Sequence, residues 1–288
     1  MGVQNTLAVG TIPTYLFPES AAVALAHVTE YSQWRRQPVA APPHLAEFNR
    51  DRAREVVAAA LASGGGWLDP AATNDFLKAA GVSTADARMA TTAAEAEEAA
   101  SAIGFPVVMK GLGATLLHKT EAGAVRLGLK DGDAVRMAFT ELQTILKERL
   151  DGVLVQQMVT DGVEMVVGGL NDRLLGPVIM AGTGGVFVEL LGDTAFRMCP
   201  LTEPEARALI EDVRGRVLLR GYRGAPPVDE DAFRALLLAA SQLLDACPEI
   251  EEMDLNPVIV RRKGAIVVDA RIKVGAPGES HRSRRISY

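Results

Sequence analysis

Apolar residues in this chain fall into short runs and helical stripes, separated by glycine and proline. An apolar run at Leu7–Ile12 predicts a strand, and a helical pattern extends from Pro18-Glu19-Ser20 to Trp34-Arg35-Arg36. A proline-rich break, Pro38 to Pro43, leads into an alanine-rich helix over Glu47–Ser63, stopped by Gly64-Gly65-Gly66. Asp69-Pro70 reads as a helix cap followed by an N1 proline, with Gly81 closing that helix. Thr92 with Glu95 forms a capping box opening a helix that Gly104 stops. Phe105–Lys110 reads as a buried strand ending on its lysine. Asp133 is placed to cap a helix whose residues Val135, Phe139, Leu142, Ile145 and Leu146 share one face. Strands are expected at Val153–Val159, Glu164–Gly168, Gly176–Ala181, Val186–Leu190 and Ala195–Cys199. Thr202 with Glu205 opens a helix to Leu219, Asp229 caps another to Ala246, and Met253–Val260 with Ala265–Val274 reads as a hairpin. Strands in adjacent runs, rather than strict strand–helix alternation, argue for an α+β chain with at least two lobes.

Composition narrows the function classes. The 288 residues are 48% hydrophobic and carry a net charge of −6, so no basic surface advertises nucleic-acid binding. The one local basic cluster, His281 to Arg285, reads as a frayed end. Cys199 and Cys247 have no metal-site or disulfide spacing, which fits a reducing cytoplasm. The N-terminus has no secretory pattern and no apolar run would span a bilayer, so no membrane partner is expected.

Five places carry candidate chemistry. Asp254 and Asn256 share one face of a strand, and a return strand through Asp269 would bring the Asn256 and Asp269 oxygens side by side. Oxygen ligands of that kind suit Mg²⁺, although an edge-strand polar pair gives the same spacing. Lys110, followed by Gly111, can meet a phosphate or be a solvated strand end. His118 lies in a polar knot between apolar stretches and is either a phosphoryl acceptor or an ordinary surface histidine. Gly184-Gly185 can offer backbone N–H groups to phosphate with Glu189 near the metal, or can simply turn the chain. Glu164, after Gln156-Gln157-Met158, can hydrogen-bond a ribose or face solvent.

Taken in order, Phe105–Lys110, Leu117-His118-Lys119-Thr120-Glu121, Gly123–Leu127, Gly176-Pro177-Val178, Gly184–Glu189, Phe196-Arg197, Glu252–Pro257 and Val268–Arg271 resemble the ATP-grasp module of ADP-forming acyl-CoA synthetases, relatives of succinyl-CoA synthetase. The resemblance covers roughly residues 67–274, with Thr120-Glu121 standing where the family has Ser-Asp. It implies a two-lobed ATP-grasp fold: lobes at 67–158 and 159–275, a linker and helix at 38–66, and a flexible tail at 276–288. Residues 1–37 resemble a remnant of a preceding ligase (flavodoxin-like) domain. It further implies that Lys110 and Gly111 hold nucleotide phosphates, that Gln156, Gln157 and Met158 line the adenine cleft, and that Glu164 meets the ribose. Asn256 and Asp269, with Glu189, would ligate Mg²⁺, and His118 would help receive the phosphoryl group. The reaction implied joins an acid and CoA at the expense of ATP, through an acyl phosphate and a phosphohistidine. The CoA site and the main phosphohistidine would come from a partner subunit or domain, with a small acyl substrate, in a hetero- or homo-oligomer. A non-catalytic nucleotide-binding regulatory module, or a truncated remnant, is the competing reading.

Overall fold

A computed structural model of the chain describes residues 4–7, 10–36, 40–113, 123–172, 174–185 and 192–275, which divide into two units, residues 1–41 and 42–288. In the first, β1 (Gln4–Leu7) and β2 (Gly10–Pro13) pair antiparallel, so the expected single strand is two. Helix α1 (Pro18–Arg36) follows, with Pro18 at its first position, Glu19 in its first turn and Arg35 and Arg36 in its last, as the helix dipole favours. None of its residues is buried, and the Tyr31 and Trp34 rings stack at 5.7 Å.

The second unit opens with α2 (Arg50–Ala62), capped by Asn49, then β3 (Gly66–Trp67) and α3 (Pro70–Lys78), capped by Asp69. Next come β4 (Ala87–Ala90), α4 (Ala93–Ile103), β5 (Val107–Leu112), β6 (Val125–Leu129), α5 (Gly132–Leu146) and β7 (Gly152–Gln157). The chain continues through β8 (Val163–Asp172), β9 (Gly176–Thr183), β10 (Thr194–Met198), α6 (Glu203–Asp212), the short α7 (Arg216–Leu219) and α8 (Glu230–Ala246). It closes with β11 (Ile250–Val260), β12 (Ala265–Val267) and β13 (Ala270–Val274).

Two antiparallel sheets result. The smaller has the order β4-β7-β5-β6, and the larger has the order β10-β9-β8-β11-β13-β3, with β12 also paired to β11. The small sheet packs on α4 and α5 through Val107, Met109, Val153, Val155, Phe139 and Leu142. The large sheet packs on α2, α3, α6 and α8 through residues such as Met165, Val167, Ile179, Phe76, Phe233 and Leu244. The other face of β8, β9 and β10 leaves Leu170, Phe196 and Met198 exposed.

Several boundaries differ from the sequence reading for local reasons. Lys110 lies inside β5 rather than at its end, because the strand extends to Leu112. Asp131, not Asp133, caps α5 by accepting the Ala134 N–H at 2.8 Å, while Asp133 pairs with Arg136. The helix expected to reach Leu219 breaks after Asp212, since the Arg214 and Gly215 amides donate to the Asp193 carboxylate at 2.7 Å instead. The return strand of the last hairpin is interrupted between Val267 and Ala270, opposite Pro257, which has no N–H to donate. The capping box at Thr202 is present in full; at Thr92 the Glu95 carboxylate accepts from Thr91 rather than from the cap residue itself. The strand expected at Val186–Leu190 lies outside the described residues.

Phe233 is fully buried, so Phe233→Ala should lower stability by roughly 3–5 kcal/mol. Phe196 is 58% exposed, and Phe196→Ala should change stability by no more than about 0.5 kcal/mol. Urea unfolding midpoints of the two variants check this contrast.

Candidate active site

The two sheets meet at the interrupted segment Val268–Asp269. Gln156, near the end of β7 and only 6% exposed, donates its Nε2–H to the Val268 carbonyl at 2.8 Å. Lys110, in the middle of β5 and 8% exposed, places Nζ 3.5 Å from Asp269 Oδ2. The Asn256 N–H donates to the Asp269 carbonyl at 3.0 Å, so these two residues face each other across the ladder. Three residues from the two sheets, Gln156, Lys110 and Asn256, thus converge on two consecutive positions of the chain.

Beside them lies a cavity of about 790 Å³, lined among others by Gln156, Asp254, Asn256, Asp269, Arg271 and Trp67. Among the described residues the buried Gln156 Oε1 has no hydrogen-bond partner, an unused acceptor at the cavity wall. Asp254 is half-buried; burial pushes its carboxyl up, with Glu252 and Asp269 adding to the shift and Arg271 opposing it. The Arg271 guanidinium lies over the Trp67 ring, 4.4 Å from its centroid.

The remaining expected site residues are distributed differently. Gln157 ends β7 and donates its N–H to the Asp86 carbonyl, and Met158 follows, donating to the Pro106 carbonyl. Glu164, on β8, joins Gly184 and Gly185 around a second cavity of about 690 Å³ that also touches Tyr222 and Arg262. The Gly184 N–H donates to the Glu164 carbonyl at 2.8 Å, and a Cβ at Gly184 would stand 2.8 Å from the Glu164 backbone. The strands therefore meet here only because position 184 has no side chain. At Gly111 a Cβ would meet Leu146 at 2.8 Å, so the bare position makes room for α5. His118 and Glu189 lie outside the described residues.

Two features were not anticipated. Arg271 follows Asp269 by two positions and so shares its strand face, a signal the alternation carried. Asp193 had no such signal. It is 8% exposed and accepts from the Thr183 hydroxyl at 3.0 Å as well as from the two amides that end α6. Burial pushes its carboxyl up, but the Gly215 and Arg214 amides and the Thr183 hydroxyl outweigh that and hold it below the usual range. The cysteines offer no nucleophile: burial pushes Cys199 up to about 12 and Cys247 up to about 11.

The donor set suits a cation held jointly with a ligand. Among the described residues no three acidic, histidine or cysteine side chains cluster to enclose a metal by themselves. The Asn256 amide and the Asp269 carboxylate supply two hard oxygens, the number a magnesium ion takes from protein when phosphates supply others. Lys110 adds a positive charge suited to the same phosphates. No described helix is long and apolar enough to cross a membrane.

A fold of two antiparallel sheets meeting over such a seam defines the class, and comparison with known proteins agrees. The family described as ATP-grasp domain matches residues 59–274. The acetate–CoA ligase [ADP-forming] I of Archaeoglobus fulgidus is 37% identical over 268 residues, covering 92% of this chain. The chain spans 39% of that relative's length. The beta subunit of acetate–CoA ligase [ADP-forming] II of Pyrococcus furiosus is 38% identical over 77% of this chain and 98% of its own length. A solved structure of a dinucleotide forming acetyl-coenzyme A synthetase 1 from Ca. Korarchaeum cryptofilum, in complex with coenzyme A and Mg-AMPPCP, matches with TM-score 0.69. It is 37% identical and covers 77% of this chain and 99% of the matched one. The chain belongs to the ATP-grasp family, within the group that contains the beta subunits of ADP-forming acetate–CoA ligases.

Because the folded-state pKa of Asp193 lies below the ordinary carboxylate value, its contribution is complete above about pH 5 and is lost as pH falls below about 4. Asp193→Asn should cost roughly 2–4 kcal/mol at pH 7, with the gap to wild type closing below about pH 4. Urea unfolding of both proteins across pH 3 to 7 checks the sign and the window.

Proposed function

We propose that this chain is the ATP-handling part of an ADP-forming acyl-CoA synthetase, working with a partner subunit or domain that binds CoA and carries the main phosphohistidine. The observation that carries this reading is the convergence of Lys110 and Gln156 on Asp269 and Val268, beside Asn256, at a cavity lined by Gln156, Asn256, Val268 and Asp269. The resemblance to relatives named as acetate–CoA ligases, and the nucleotide and coenzyme A bound in the Korarchaeum enzyme, support it. The overall reaction is acid plus CoA plus ATP giving acyl-CoA, ADP and phosphate, by way of an acyl phosphate.

In this reading the lobes are residues 67–158 and 159–275. Lys110 draws the nucleotide phosphates into the seam, and the buried Gln156 and its neighbours Gln157 and Met158 form the wall against the base. Asn256 and Asp269 would hold the magnesium ion, whose charge offsets that of the phosphates during transfer. Glu164 is assigned to the ribose on the family resemblance, and Gly184 and Gly185 to the nucleotide phosphates. His118 is assigned to the loop that receives the phosphoryl group, and Glu189 to the metal, both on the family resemblance. Phosphoryl transfer asks of the protein mainly position and positive charge, and the seam offers both. Residues 1–37 lie ahead of the family match and are assigned to the end of a ligase-type domain that precedes it. A cytoplasmic location accords with this chemistry and with the free thiols.

Calorimetry with ADP and ATP, with and without Mg²⁺, tests the reading. Wild type should bind both with Kd of order micromolar in a Mg²⁺-dependent manner, and Asn256→Ala/Asp269→Ala should weaken binding at least about ten-fold. Absence of binding by folded wild type would overturn the catalytic assignment and favour a scaffold.

A further inference from the structure

Arg271 is a cation of the cavity wall to which the proposed function gives no task. It lies on β13, one pleat repeat beyond Asp269, and lines the same cavity as Gln156, Asn256 and Asp269. Its cross-strand neighbour is Asp254, in direct register on β11. Yet no carboxylate takes its guanidinium: among the described residues Arg271 has no ion pair or side-chain hydrogen bond, and its contact is the Trp67 ring. The next cation on the same strand behaves differently. Lys273, two residues on, is tied to Glu251 at 2.8 Å.

A guanidinium held over an aromatic face by cation–π attraction spends none of its N–H donors on that contact. The Trp67 backbone is held, since β3 pairs with β13 through Trp67 and Lys273. The cavity therefore presents a half-buried fork of donors that has no side-chain acceptor among the described residues. Such a fork matches a phosphoryl dianion, which accepts two parallel N–H bonds. Order along the strand adds direction. Val268 meets Gln156 from the base-side wall, Asp269 meets Lys110 and Asn256, and Arg271 stands about 7 Å further along.

We propose that Arg271 is the clamp for the terminal phosphoryl group, that of ATP or the inorganic phosphate bound beside ADP, and that Trp67 is its positioning residue. The proposal rests on the nucleotide reading of this seam. Lys110 and the metal pair serve the inner phosphates, so Arg271 distinguishes a triphosphate from a diphosphate. No bond is made or broken by either residue; Arg271 contributes charge and two donors, and Trp67 contributes orientation.

The test uses the full chain with Trp34→Phe, which leaves Trp67 as the remaining tryptophan of two. Trp67 emission is followed on addition of Mg-ADP, Mg-ATP, and inorganic phosphate with and without saturating Mg-ADP; affinities come from calorimetry and folding from thermal melts. Mg-ATP should shift the emission beyond the effect of Mg-ADP. A further shift when phosphate is added to the ADP complex would identify free phosphate as a second source of the dianion, and no such shift would confine the clamp to the triphosphate. Arg271→Gln should weaken Mg-ATP about ten-fold or more while leaving Mg-ADP within about three-fold. Arg271→Lys, which keeps the charge without the fork, and Trp67→Leu, which keeps the arginine without its platform, should fall between. They carry the test if Arg271→Gln melts early. Equal loss of both nucleotides, or loss of neither, in folded variants would overturn the clamp. Wild type that binds neither nucleotide would overturn the nucleotide reading and the clamp with it.

Discussion

Lys110 and Gln156 leave the small sheet and end on consecutive residues of the large one, Asp269 and Val268. A lysine and a glutamine this buried are costly unless something compensates them, and Asp269 and Val268 on the other sheet do so in part. The approach of the two sheets is thus linked to satisfying these groups, and the cavity exists at the place where they meet. The interruption of the strand between Val267 and Ala270 makes this geometry available: a continuous strand would spend the Val268 carbonyl on its neighbour in the ladder. Pro257, opposite the gap, has no N–H to offer such a ladder, so the break is written into the hairpin itself.

The polar groups at the seam divide by how they are used. Asp269 is engaged through both backbone and side chain, by the Asn256 N–H and by Lys110. Among the described residues Gln156 uses its donor and leaves its acceptor unpaired, while the Arg271 guanidinium has the Trp67 ring as its contact. A protein rarely buries polar capacity it does not use, and the unused capacity here faces one cavity. Asp193 represents the opposite use. It spends a buried carboxylate on two amides and a hydroxyl, ends α6, and ties the end of β9 to α7. Its chemistry is architectural, and it keeps Gly184 pressed against Glu164 by holding the neighbouring Thr183.

Legibility from the sequence followed the range of the interactions. Helix starts were readable where one side chain answers one nearby amide, as at Asp69, Thr202 and Asp229. The α5 cap slipped by two residues because Asp131 and Asp133 offer the same chemistry on either side of Gly132. The break after Asp212 was not readable, since the competing acceptor, Asp193, lies about twenty residues away in sequence. Short edge strands such as β3 and β4 lack an alternating pattern of their own and form only because a longer strand lies beside them.

The amino-acid sequence alone determined the alternation of elements, the α+β class, the family, and the adjacency of Asn256 and Asp269 across a hairpin. These depend on local periodicity, on caps, and on a motif order that survives in one dimension. Only the tertiary structure decided that Lys110 and Gln156 reach that hairpin, and that Glu164 with Gly184 and Gly185 lines a different cavity. It also decided that Arg271 is held by Trp67, more than 200 residues earlier in the chain, rather than by Asp254 directly across the ladder. Those outcomes depend on how two sheets meet, and no spacing within either sheet encodes the distance between them.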